Sequence, residues 1–267
     1  ERYRKASADM RQLTAIEKKT KSDKNLTKDD LIFLYEINKP IEGFGYQRDP
    51  RIHELREKRN PKEDAPIVLD CQPEEIAWSQ SQIGLATKSY IGPLFNGIFK
   101  TGIEQIYTTF PEARIRRSAL GIGGRTAKEL EQELRDKKIN IDYAQDMLRS
   151  KSFTTLKNPE QIELIRLKVR DLGFKSGATT DEIYRKAEEL GLELCPAEVG
   201  PNLRLQYVDQ PLGEWFYIAM KQISGRGGHP SVFQLACSDA GLWLNDYWAN
   251  PGSWWGPDGE FVFRLRK

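Results

Sequence analysis

The side chains able to move a proton, attack a carbon or hold an ion are few in this chain. Its 267 residues include two histidines, His53 and His229, and three cysteines, Cys71, Cys195 and Cys237. His229, Cys237 and Asp239 fall within one hairpin's length, raw material for a thiol nucleophile. The same residues equally describe a loop histidine and a buried cysteine. No HExxH, calcium-loop or zinc-ligand spacing occurs, so no metal or cofactor is expected. Glu214 and Asp246 form a candidate carboxylate pair. Such a pair hydrolyses a glycosidic bond when less than about 10 Å separates the carboxyls.

The second kind of chemistry is stacking. Five of the six tryptophans lie after residue 203. Tyr247, Trp248, Trp254 and Trp255 flank an Asn-Pro-Gly-Ser stretch. Rings on a loop are harder to bury than rings on a strand, so this stretch is the leading candidate for a ligand surface. Its rings can stack on sugars, bases or peptides, with Asp246 and Glu214 accepting hydrogen bonds from sugar hydroxyls. The competing reading is that the rings fill a core.

The third kind is anion binding. Arg114, Arg116 and Arg117 surround Ile115, and Arg125 follows the glycine-rich turn Gly121–Gly124. These positions can contact phosphate or acidic partners. Equally, they can be the charged face of an edge strand, which blocks aggregation. The glycine turn can cradle an anion, although it matches neither nucleotide-binding pattern.

Helix signals surround these candidates. Thr27, with Asp29 and Asp30 in the first turn after it, and Asp49 with Pro50, read as helix starts. Asn60-Pro61 reads as a stop, with a short strand at Ile67–Leu69. Thr126 with Glu129, and Thr179 with Glu182, are capping boxes. Asn158-Pro159 reads as the start of another helix, ending at Gly173. The acids along Thr180–Leu190 argue against a DNA-recognition helix. Strand-like segments punctuated by glycine run from Ser89 to Gly123. Alternation at Leu203, Leu205 and Tyr207, and again at Phe261, Phe263 and Leu265, predicts strands.

Net charge is +2, with 30% charged residues and 39% hydrophobic. The first 24 residues hold eight Lys/Arg against four Asp/Glu, which reads as a solvated basic arm. Residues 193–267 hold six against eight, so the aromatic end is a poor phosphate-backbone binder. No apolar run is long enough to span a bilayer, and the cysteines suggest no disulfide framework. A cytoplasmic location is expected. The chain begins at Glu1, which reads as a fragment or processed form.

Four segments carry a resemblance: "IEGFGYQRDPRI" ending at Ile52, "SYIGPLFNGIF" from Ser89, "ATTDEIYRKAEELGLELCPAEVGPNLRLQY" ending at Tyr207, and the closing "EFVFRLRK". They resemble uncharacterised bacterial proteins known mainly from metagenomic sequence. Some of those carry leucine-containing tandem repeats, which this chain lacks. The resemblance implies no activity; repeats in relatives hint at protein–protein binding.

The expectation is an α+β protein with helical N-terminal and middle regions, a small central sheet and an aromatic-rich antiparallel β meander or small barrel at the C-terminus. The expected regions are a basic helical arm (1–24), a mixed region (25–125), a helical region (126–192) and a β domain (193–267). The leading functional reading is a non-enzymatic binding module for a protein or carbohydrate ligand. A carbohydrate hydrolase is the second reading. A nucleic-acid accessory protein is the third and is disfavoured by charge.

Overall fold

Short helix-start signals dictate much of the first third. Thr27 accepts from the Asp30 amide while Asp30 accepts from Thr27, Asp49 caps with Pro50 in the first turn, and Asn60 caps with Pro61. The structure, a computed structural model, describes residues 2–44 and 48–267; Gly45–Gln47 of the first resemblance segment lie outside them. Two units emerge, one of Glu1–Gly92 with Ile103–Arg114 and one of Pro93–Gly102 with Ile115–Lys267.

The first unit holds helices α1 (Arg2–Lys21), α2 (Lys28–Leu34), α3 (Pro50–Glu57) and α4 (Pro61–Leu69). It also holds β1 (Ile76–Ala77), β2 (Ser89–Ile91) and β3 (Gln105–Tyr107), a parallel sheet in that order. The basic segment is a helix, as expected, but not a wholly solvent-facing one, because Leu13 and Ile16 of α1 are fully buried against Leu34, Ile52 and Leu55. Nor is Ile67–Leu69 a strand: Asn60-Pro61 opens a helix instead of closing one. Buried Asp64 is satisfied by the Tyr35 hydroxyl (2.5 Å) and by Arg59 through both carboxylate oxygens.

The second unit contains β4 (Arg116–Ile122), α5 (Ala127–Asp136), α6 (Gln145–Leu148), β5 (Glu160–Lys168), β6 (Ala178–Thr179), α7 (Thr180–Glu189) and β7 (Leu192–Glu193). It continues through α8 (Val199–Gln206), β8 (Trp215–Ile218), β9 (Ile223–Ser224), β10 (Pro230–Ser238), β11 (Gly241–Trp248), β12 (Trp254–Trp255) and β13 (Glu260–Leu265). Its large sheet has the order β11-β10-β8-β13-β5-β4, with β7 beside β13 and β9 beside β10. All neighbours on that path are antiparallel except β8 and β13. The protein is thus α+β, with aromatic clusters near its C-terminus.

Two further expectations are corrected. Glu160–Lys168 is a strand, not a helix: Pro159 fits the approach to a strand as well as to a helix, and Ile162/Leu164 and Ile165/Leu167 are buried on opposite faces. Conversely, Leu203 and Leu205 sit in helix α8. All of Val199–Leu205 is buried, Asn202 and Arg204 included, so no polar face marks the helical period.

Strand register defines two faces. One carries Leu120, Leu164, Phe216, Phe233, Leu235 and Leu244. Helix α8 lies against it, with the Gly200 backbone close enough to Phe233 that a Cβ would stand 2.5 Å from the ring. Phe153 meets Phe233 edge-on at 6.0 Å. The opposite face carries Trp215, Tyr217, Phe261 and Phe263. Tyr184 of α7 packs edge-on to both phenylalanines, and Trp255 packs on Tyr217 and Phe261.

The glycine turn after β4 does cradle an anion, but the anion belongs to the chain. Glu198, 1% exposed, accepts from the Gly123 and Leu156 amides at 2.8 Å each. Gly123 has φ +79° and an added Cβ would lie 2.3 Å from the Asn158 carbonyl oxygen, so this turn admits only glycine. Glu198→Ala leaves two amides without an acceptor and is expected to cost about 2–4 kcal/mol in urea unfolding. Gly123→Ala is expected to cost at least as much; a change below about 0.5 kcal/mol in either would contradict the cradle.

Candidate functional site

The second face is partly open on β8, β10 and β11, as it is on β4 and the start of β5, where Ala119 and Gln161 are exposed. Register aligns Trp215, Ala236 and Trp243 in one row across β8, β10 and β11, and Tyr217, Gln234 and Asn245 in the next. Tyr247 follows on β11, opposite Val232. Trp215 and Tyr247 are 44% and 45% exposed, while Ala236, Gln234, Trp243 and Asn245 are half-buried. Helix α7 and Trp255 cover the neighbouring strand β13 but leave these six side chains accessible.

The open side chains are held in place from below and beside. Tyr217 contacts Trp215 (5.4 Å between centroids), Tyr247 (4.8 Å) and Trp255 (4.6 Å). Burial, then Tyr247 nearby, pushes the Tyr217 phenol well above its ordinary pKa, so it stays neutral. The Asn245 amide donates to Gln234 Oε1 at 3.2 Å, and the Trp243 indole donates to Ser238 at 2.8 Å.

Around the outer edge of β11 this surface continues into an open hollow of about 580 Å³. Tyr143, which meets the Trp243 ring at 6.3 Å, lines it together with Gly227, His229, Asp246, Tyr247 and Trp248. Trp248 lies against His229 with centroids 4.1 Å apart.

The structure therefore brings Asp246, Tyr247 and Trp248 together and separates them from the other expected residues. Trp255 is core: it is 4% exposed and donates to the buried Thr180 hydroxyl at 2.8 Å. Trp254 is exposed but points away, over the backbone of Gly177. Much of the supposed aromatic loop is strand, since β11 runs to Trp248 and β12 begins at Trp254.

Glu214 and Asp246 are no acid–base pair. Glu214 lies opposite Cys237 and Asp246 opposite Phe233, on the two sides of β10. Four residues along and two strand spacings across put them roughly 16 Å apart, beyond a glycosidase's reach. His229 lies just before β10 and Cys237 near its far end, eight residues of extended chain or roughly 26 Å apart, which puts a thiol–imidazole pair out of reach. Arg116, Arg117 and Arg125 are each engaged in a separate ion pair. Arg116 pairs with Glu214 (2.8 Å) and Arg117, on the other face of β4, with Glu163. Arg125 pairs with Glu133 (2.7 Å) and Asn202, and Arg114 lies exposed in the first unit. Among the described residues no group of three or more His, Cys, Asp or Glu could hold a metal, and no helix is long and apolar enough to cross a membrane.

Sequence reasoning missed Trp215, Trp243, Gln234 and Asn245 as a surface. The available signal was the alternation Trp243, Asn245, Tyr247 within Gly241–Trp248. What it lacked was the register that lines these residues up with β8.

Beneath the open face, Arg166 of β5 sets the orientation of β8. Its guanidinium lies 3.8 Å from the Phe216 ring centroid and pairs with Glu214 (2.8 Å) and Glu260 (2.7 Å). Tyr207 adds a hydrogen bond to Glu214 at 2.8 Å. Glu214 and Phe216 thus point inward, and Trp215 between them must point to the opposite face. Burial opposes ionisation of Glu214, but Arg166, Tyr207 and Arg116 outweigh it and hold its carboxyl below its ordinary pKa of 4.5. The stabilisation is therefore complete above pH 4.5 and drains away as pH falls below it. Glu214→Gln is expected to lose about 2–4 kcal/mol at pH 7. The deficit relative to wild type should shrink in urea titrations toward pH 3; a pH-independent deficit would contradict the ion pair. Compared with protein-family models, with curated proteins and with solved structures, the chain finds no match, so the site is read from its own chemistry.

Proposed function

We propose that this chain is a non-enzymatic binding module whose ligand seats on the open face formed by β8, β10 and β11. One observation supports the reading: on the face where helix α7 and Trp255 cover β13, Trp215 of β8 and Trp243 and Tyr247 of β11 stay accessible on either side of β10. Exposing clustered aromatic surface is unfavourable without a partner to cover it. The side chains around these rings stiffen them, so little rotamer freedom is lost on binding. The hydrolase reading loses its carboxylate pair to distance, and the nucleic-acid reading is weakened because Arg116, Arg117 and Arg125 each face an acidic partner.

Incorporation of 5-fluorotryptophan resolves the six indoles individually by fluorine NMR. Among pools of oligosaccharides, peptides and single-stranded nucleic acid, the pool containing the ligand is expected to move the Trp215 and Trp243 signals and leave Trp255 unmoved. If every pool leaves those two signals fixed, or if only Trp254 responds, the proposed face is wrong.

A further inference from the structure

Resting on that reading, we infer that the ligand is a neutral oligosaccharide, stacked on Trp215 and Trp243 and hydrogen-bonded by the Gln234–Asn245 amide pair. Size decides first. The six accessible side chains span two strand spacings by four residues, roughly 10 Å by 13 Å. Trp215 and Tyr247, each under half exposed, offer on the order of 100 Å² apiece, and with the four half-buried side chains the patch comes to roughly 300–400 Å², against about 800 Å² contributed by each partner to a specific protein interface. The patch suits a small ligand or a short stretch of a linear one, not a folded partner or a second copy of this chain.

Charge decides next. Trp215, Ala236, Trp243, Gln234, Asn245 and Tyr247 include no charged side chain, and the Tyr217 phenol behind them stays neutral. Recognition of a phosphate backbone or an acidic glycan draws on Lys or Arg, which this set lacks. A neutral sugar presents what the face is built to meet: apolar ring faces for the indoles, and hydroxyls for the Gln234 amide, which the Asn245 amide orients from beside it, the Asn245 oxygen itself being buried. The spacing fits as well. The two tryptophans flank Ala236, whose small side chain leaves a shallow floor between indoles about 10 Å apart at their backbones. That span accommodates more than one sugar ring along the row.

The full chain is titrated by calorimetry and affinity electrophoresis against neutral glucans, xylans and mannans, a polygalacturonate, a sulfated glycan and mixed peptides. Binding to a neutral glycan is expected, with little dependence on salt. Trp215→Ala and Trp243→Ala should each weaken it about tenfold or more. Gln234→Glu, which keeps the rings and adds a charge, should weaken it comparably. Fluorine signals of the remaining tryptophans verify that each variant is folded. Tighter, salt-sensitive binding of the acidic polymers would overturn the inference, as would loss of a self-associated state in Trp215→Ala. Peptides that move Trp215 and Trp243 when no glycan does would overturn the ligand class and leave the binding reading standing. If nothing moves either indole, both fall.

Discussion

Arg166 is the constraint on which the second unit depends. A guanidinium this deeply placed is costly to desolvate, and only close partners make it tolerable. The partners come from separate elements: Glu260 on β13, Glu214 just before β8, the Phe216 ring within it. Tyr207, at the end of α8, then holds Glu214. Because side chains alternate along a strand, turning Glu214 and Phe216 toward Arg166 turns Trp215 to the other side. The electrostatics of one face therefore set the chemistry offered by the other.

A second buried charge shows the same logic through neutral partners. Arg204 is fully buried, with Gln210 and the carbonyl oxygens of Tyr207 and Ala236 accepting from it. Burial lowers its pKa to about 10, so it remains charged at neutral pH. It ties α8 to the loop before β8 and to β10. Along with the Glu198 cradle, it fixes the helix that backs the sheet. Rigid backing matters for a surface that binds through rings and amides, since every side chain still free to rotate must be ordered when the ligand arrives.

Local chemistry made part of this legible in the sequence. Thr27, Asp49, Thr126 and Thr179 announce helix starts because a capping side chain acts within three residues. Tyr247 was found because aromatic rings beside Pro and Gly are conspicuous in composition. What stayed hidden depends on distant partners. Leu164–Leu167 of β5 and Val199–Leu205 of α8 are buried on every side, which erases the periodicity that separates strand from helix. The glycine turn announced an anion, but its carboxylate comes from Glu198, 75 residues away. Trp215 and Trp243 become neighbours only through β10, whose register no local pattern records.

The most direct test of this account is hydroxyl-radical footprinting of the free, folded chain, reading oxidation at each aromatic residue by mass spectrometry. Rapid labelling is expected at Trp215 and Tyr247, intermediate labelling at Trp243, and strong protection at Tyr217, Phe216 and Trp255. Rapid labelling at Phe216 with protection at Trp215 would mean that β8 faces the other way. The Arg166 clamp and the binding face would then both be wrong.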